Sequence, residues 1–397
     1  MQAPSSKIWS RDFILLFLTS FLTWGSFHFL LPTLPLYIAA VLKGTPTQVG
    51  IISSLLALST VLTRPLVGFA LDRWGRRPVY LLSLFLLCLV AFAYNLATSL
   101  LLLAAIRVLQ SVPFGGSSTA STTIASDLVP VERRGEGLGL FDLSGTLSMA
   151  IAPAVALAVL GNGQFSRLFN LSGCMLLAAL LFALPVRYRP VGRTRAAFTL
   201  SNLLERRVGW LALAIACAYF CFGGVISFIT LYAERYRIAG AGWFFTAYAT
   251  GLVLSRTVGG RFFDRYGPRV PAYAGLALEA VALLLLGLWR SQIGFMTAAV
   301  LFGFGLGAIT PPIFAMAVSW VPDDRRGAAN ATVFAGIDLG IGVGSNVLGA
   351  VAQASNYAVM YGVSSLLLAV PLAIFALKIV PRYREVKRET GNVRGEA

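Results

Sequence analysis

Long apolar runs, each closed by a short polar stretch, follow one another along the whole chain. Twelve of them reach the roughly 20 residues that an α-helix needs to cross a bilayer. They cover about 13–37, 48–70, 79–97, 99–126, 137–160, 167–186, 208–232, 242–263, 271–289, 292–319, 328–353 and 356–380. The apolar residues are continuous within each run, so transmembrane strands, which are short and alternate, do not fit. Glycine and proline recur inside the runs, as membrane helices allow. The first run has about twice the apolar length of a signal peptide and no small-residue cleavage site after it, so it too is expected to be a helix. The pattern predicts an all-α membrane protein with twelve transmembrane helices.

Composition removes the competing classes. Of 397 residues, 57% are hydrophobic and only 12% charged, with mean hydropathy +0.78. A soluble domain is about 25% charged, so a soluble enzyme, a nucleic-acid binder and a disordered chain are excluded despite the net charge of +16. That charge is a topology device instead. With both termini cytoplasmic, 24 of the 32 Lys and Arg fall on the inner side. The outer loops hold Lys43, Arg167, Arg235, Arg237 and Arg290, and the spans hold Arg64, Arg107 and Arg256. This is a positive-inside bias, and it places a multi-pass protein in the inner (plasma) membrane with its basic face toward anionic lipid. Cys88, Cys174, Cys217 and Cys221 sit in apolar runs and read as small core hydrophobes. With one histidine in the chain, no metal centre is expected, and no cofactor.

The chain repeats itself at a spacing of 192. Gly68, Asp72, Arg73 and Gly75 recur as Gly260, Asp264, Arg265 and Gly267. Val129, Pro130, Arg133, Arg134 and Gly135 recur as Val321, Pro322, Arg325, Arg326 and Gly327, and Arg64 recurs as Arg256. The expected organisation is a six-helix bundle over 1–190, a cytoplasmic linker over 191–206 and a second six-helix bundle with a short tail over 207–397. Parallel six-helix repeats with a site at mid-membrane are a transporter plan.

The same residues carry a resemblance. The loop Gly68, Phe69, Ala70, Leu71, Asp72, Arg73, Trp74, Gly75, Arg76, Arg77, Pro78 resembles the signature loop of the major facilitator superfamily. Arg107 and Gln110 resemble its Arg-x-x-Gln-Gly motif, with Ser111 in place of glycine. Two further elements are similar to those of its drug/proton antiporter group. One is Gly139, Ser148, Ala152, Pro153, Ala156 and Leu157 in helix 5; the other is Ser26, Pro32 and Pro35 in helix 1. The resemblance implies two pseudo-symmetric bundles, proton-coupled efflux, and a gate built from Gly68, Asp72, Arg73, Gly75, Arg76 and Asp127. Gly260, Asp264 and Arg265 form its second copy. There the positions of Arg76 and Asp127 read Pro268 and Ser319, so the relay is asymmetric.

Ionisable groups deep in a membrane are costly and are functional candidates by default. Here they are His28, Arg64, Arg107, Asp142, Arg256, Glu279 and Asp338. Asp338, Asp142 and Arg107 are the proton-coupling candidates. Asp338 stands first, at about 16 Å into helix 11 from Gly327, between Gly336 and Gly340. Glu279 is expected in a buried structural ion pair. His28 reads equally as a cavity group or a packing residue. Depth arithmetic with the superfamily's packing suggests two cross-half pairs, Arg64 with Asp338 and Arg256 with Asp142. The substrate-cavity candidates are Trp24, Phe27, His28, Gln110, Tyr219 and Phe222, with Phe220 beside them.

An apolar, aromatic cavity with few charges favours a lipophilic or cationic small molecule. No phosphate-binding loop is present, so a gradient must supply the energy. The expectation is a monomeric secondary active transporter, not an enzyme, whose partners are a small-molecule substrate, protons and membrane lipid, with no nucleic acid. Proton-coupled multidrug-type efflux is favoured over uptake or facilitated flux of a metabolite such as a sugar or organic acid. A membrane sensor or lipid-modifying enzyme is disfavoured, because no catalytic constellation is visible.

Overall fold

The computed structural model describes residues 8–129, 134–161, 163–188, 205–266, 269–321 and 326–385; within these, the side chains of 65, 68, 69, 72, 73, 134–136, 139, 256–266, 318 and 326–328 are not described. The elements are α1 (Arg11–Ala40), α2 (Pro46–Trp74), α3 (Arg76–Ala93), α4 (Leu100–Leu128), α5 (Arg134–Leu160), α6 (Phe165–Ala183), α7 (Gly209–Arg235), α8 (Ala241–Tyr266), α9 (Arg269–Leu288), α10 (Gln292–Ser319), α11 (Arg326–Ala354), α12 (Tyr357–Leu367) and α13 (Ala369–Ile374). Among the described residues, eleven helical stretches are long and apolar enough to cross a membrane; α8 runs for 26 residues, of which the side chains from 256 on lie outside the described residues. The protein is all-α and multi-pass. Most of the expected linker falls outside the described residues.

Side chains that accept the orphan amides of the first turn mark several helix starts. Ser10 Oγ accepts from the Phe13 N–H, Ser99 Oγ from Leu102, Ser291 Oγ from Gly294 and Asn356 Oδ1 from Val359. The last span differs from the single helix expected over 356–380. It breaks at Leu368, resumes as α13, and passes through a π turn over Phe375–Ile379. Pro371 accounts for the break, because its ring crowds the carbonyl four residues earlier and it has no N–H to give. Large apolar side chains point outward all along the helices; Leu101 is 81% and Leu288 82% exposed. A bilayer, not water, suits such a surface.

The helices pack into two compact units, one of 1–44 and 55–198, the other of 45–54 and 199–397. In the first, α1 packs on α5 and α6, and α3 on α4 and α6. In the second, α7 packs on α11, α10 on α8 and α9, and α12 on α9. Both units use a buried tyrosine to tie one helix end to another. Tyr37 donates to the Ala97 carbonyl at 2.8 Å and meets the Phe169 ring edge-on at 5.3 Å. Tyr232 donates to the Leu286 carbonyl at 2.6 Å and meets the Tyr361 ring edge-on at 5.4 Å.

The central seams differ. In the first unit α1 is joined by hydroxyl contacts: Ser20 with Ser144 at 2.9 Å, Ser26 with Ser172 at 2.6 Å and His28 with Ser148 at 2.8 Å. In the second, Gly336, Gly340 and Gly344 of α11 lie so close to the carbonyls of Ala212, Ala216 and Phe220 on α7 that an added Cβ would collide with backbone. Residues four apart share one helix face, so the glycines form one continuous line of contact, the close approach that small residues permit between membrane helices.

Candidate functional site

In the first unit, α1 and α4 build an aromatic wall. Trp24 and Phe27 are one turn apart on α1 and meet edge-on at 5.8 Å. Phe114 of α4 stacks on Phe27 at 4.8 Å and meets Trp24 edge-on at 5.5 Å. His28 stacks on Trp24 at 5.6 Å, with its Nδ1 2.8 Å from Ser148 Oγ. It is thus both part of the wall and a packing residue. A space of about 10 Å³ lies among Tyr80, Trp24, Phe114 and Ser121, room for roughly one water. Phe114 and Tyr80 were not singled out in the sequence. For Phe114 the signal was there, since it follows Gln110 by four residues and shares its face of α4.

Arg107 and Gln110 stand on that same face, nearer the start of α4. Gln110 Oε1 accepts twice, from Arg107 Nη1 at 3.1 Å and from the Tyr94 hydroxyl at 2.6 Å. Tyr94 follows α3 and stacks on Phe169 of α6, so one of the two donors to this oxygen is itself anchored on α6. Arg107 is 9% and Gln110 5% exposed. The Arg107 Nε is buried with no hydrogen-bond partner, and no carboxylate among the described residues pairs with it.

The second unit carries its own aromatic cluster. Tyr219 and Phe222 of α7 meet edge-on at 5.6 Å, and Phe222 stacks on Tyr248 of α8 at 5.6 Å and on Phe302 of α10 at 6.3 Å. The Tyr219 hydroxyl lies 3.3 Å from Thr310 Oγ1. Phe220 gives its carbonyl to the glycine seam.

At the loop between α2 and α3, Gly75 has φ +92° and precedes the first residue of α3. An L side chain rarely adopts that conformation, so glycine is needed at this turn. Arg76 Nε lies 3.4 Å from Asp127 Oδ2 at the end of α4. Gly68, Asp72 and Arg73 are on α2 and Gly260, Asp264 and Arg265 on α8, with side chains outside the described residues. Nearby, the Tyr188 hydroxyl donates to the Ala183 carbonyl at 2.7 Å. Burial pushes its phenol well up from the ordinary value, against the pull of Arg77, which keeps the donor protonated.

Among the deep acids, Asp338 on α11 and Arg64 on α2 are half-buried, whereas Asp142 on α5 is exposed. Each of the two expected cross-half pairs would join residues of different units, and the Arg256 side chain is outside the described residues. Among the described residues no cation pairs with Glu279, and the Arg256 side chain lies outside them. The Glu279 side chain on α9 is fully buried, and neither carboxylate oxygen has a hydrogen-bond partner. It leans over Gly305 of α10, a face that α9 turns inward and that periodicity in an apolar run does not reveal. All four cysteines are free, and Cys174 is exposed, so the packing role expected for it fails. Among the described residues no group of His, Cys, Asp and Glu could hold a metal ion.

A family profile described as Major Facilitator Superfamily matches residues 16–241 and 237–396. The chain is 26% identical over 357 residues to an uncharacterised transporter, YhhS, of Escherichia coli strain K12, covering 87% of this chain and 86% of the relative. It is 24% identical over 392 residues to the staphyloferrin B transporter of Staphylococcus aureus strain NCTC 8325, covering 92% and 93%. The crystal structure of the nucleoside transporter NupG (D323A mutant) superposes with a TM-score of 0.78 at 14% identity, over 92% of this chain and 100% of that one.

Proposed function

The chain belongs to the Major Facilitator Superfamily and is a secondary transporter, not an enzyme, and from that premise we propose that it exports a lipophilic small molecule in exchange for protons. The observation that carries the substrate reading is the wall of Trp24, Phe27 and Phe114, three rings in mutual contact on α1 and α4, two of them cavity candidates from the sequence. Such a surface gains contact area with an apolar ligand and asks for few polar groups. The antiporter-like elements in α1 and α5 favour export. The S. aureus relative is by name a transporter of staphyloferrin B.

Asp338 is the proposed proton carrier. It is a half-buried carboxylate near the middle of α11, between Gly336 and Gly340 of the seam. A group that trades its charge at such a site can bias the alternation between inward and outward access. Asp72, Arg76 and Asp127 act as the inner gate, with the Arg76–Asp127 contact as its fixed part. Arg64 with Asp338 and Arg256 with Asp142 are proposed to pair when the inner side is closed. The bacterial relatives suggest the cytoplasmic membrane.

The test is transport by the full chain in proteoliposomes with an imposed pH gradient, screened against dyes, antibiotics and sugars. Accumulation of a lipophilic compound driven by an acidified lumen supports the reading. Sugar flux that ignores the gradient would replace it with facilitated uptake.

A further inference from the structure

Arginine keeps its charge in a protein and offers five N–H donors. At Arg107, Nη1 meets a neutral oxygen, that of Gln110, at 3.1 Å, the neutral Tyr94 hydroxyl also lies within hydrogen-bonding reach of the guanidinium, and Nε meets nothing. Gln110 Oε1 is already shared with Tyr94. No acid among the described residues forms a salt bridge with Arg107, although the side chain is more than nine-tenths buried. Buried charges are otherwise paired, because an uncompensated one in the hydrocarbon layer is expensive. A purely structural bond to Gln110 would need one neutral donor, not a buried guanidinium whose neighbours are neutral and whose Nε is left unpaired.

We propose that Arg107 is an anion receptor and that the transported molecule is a lipophilic anion. Its carboxylate, or a group of like charge and shape, docks on the guanidinium while its apolar body lies on Trp24, Phe27 and Phe114. Spacing supports this. Arg107, Gln110 and Phe114 are at i, i+3 and i+7, so they share one face of α4. The cation and the ring are about 10 Å apart along the axis, the span of a small fused-ring acid. A guanidinium receives a carboxylate through two parallel hydrogen bonds, and the Tyr94–Gln110 bond holds it from behind. The cationic cargo that an apolar aromatic cavity alone would suggest is disfavoured, since it would meet a like charge. The proposal rests on the reading of the chain as a transporter of lipophilic molecules, but not on proton coupling or on direction. A lipid phosphate could offer the same chemistry, so the experiment separates the two sources.

The probes are 2-naphthoate, 2-naphthamide and 2-naphthylmethylamine, which share a ring system and differ in charge. Binding to the purified full chain is measured by titration calorimetry without any gradient, in phosphatidylcholine nanodiscs with and without phosphatidylglycerol. Wild type is expected to bind the acid about tenfold more tightly than the amide, the scale of one charge-assisted pair. Arg107→Gln is expected to erase that preference and Arg107→Lys to keep part of it. Equal binding of acid and amide by wild type, tighter binding of the amine, no binding of any probe, or a preference that survives in Arg107→Gln would overturn the proposal. Full competition by phosphatidylglycerol would overturn it too, by making a lipid headgroup the occupant. If Arg107→Gln fails to fold, the wild-type ratio and Arg107→Lys still decide. Acid preference without pH-driven transport would count against the coupling alone.

Discussion

The only histidine of the chain, His28, holds its Nδ1 2.8 Å from the hydroxyl of Ser148, and so cross-links α1 to α5 from within the aromatic wall. Ser148→Ala leaves a buried ring nitrogen without its partner, which costs about 1 kcal/mol. The apparent unfolding midpoint of the purified protein should fall by about 2–4 °C. An unchanged midpoint would show that the contact contributes nothing.

The glycine seam makes a sharper demand. Gly344→Ala places a Cβ against the Phe220 backbone, which cannot rotate away, and overpacking of this kind costs about 1–3 kcal/mol. Gly362→Ala is the control, because nothing lies within 4 Å of its Cβ position, and it should be neutral or gain up to about 1 kcal/mol of helix propensity. Equal yields and melting curves for the two variants would contradict the close packing of α7 on α11.

Asp338→Asn keeps the size of the side chain and removes its titration. Gradient-driven accumulation should fall by at least about tenfold, the scale of one lost coupling interaction of some 1.4 kcal/mol, while substrate exchange at equal pH persists. A variant that still concentrates substrate would move the proton to another acid, Asp142 or Glu279.

The two inner loops should respond unequally. In the first, Arg76 and Asp127 are in contact at 3.4 Å; Pro268 and Ser319 stand at the matching positions of the second. Asp72→Asn should therefore shift the balance of inward and outward states more than Asp264→Asn. Spin-label distances between the two halves would read this, and equal shifts would remove the gate from the first loop.

The fold was legible because each span is an uninterrupted apolar run, and burial of backbone polar groups in lipid leaves a helix as the solution for such runs. The break at Leu368 was not, because proline inside a membrane helix is as often tolerated as disruptive. The site was half legible. Spacing on α4 puts Arg107 with Gln110, and resemblance marks both. Tyr94, which completes that group, comes from the far end of α3 and shows no pattern of its own. Glu279 was hard to read for a related reason: a carboxylate in an apolar run announces its cost but not its neighbours, and among the described residues no cation stands beside it.

Glu279 also bears on the order in which the chain is made. Ribosomes deliver α9 before α10 and α12, yet the wall that encloses its carboxyl includes Gly305 of α10. Inserted alone, the helix would enter the hydrocarbon before its shelter exists, with an acid ten residues in from Arg269 and a centre-of-span penalty of about 2.5–3.5 kcal/mol for a charged side chain. The free energy of α9 insertion thus depends on helices not yet synthesised. The segment should be held at the insertion machinery until α10 arrives, and Glu279→Leu should let it partition into lipid alone.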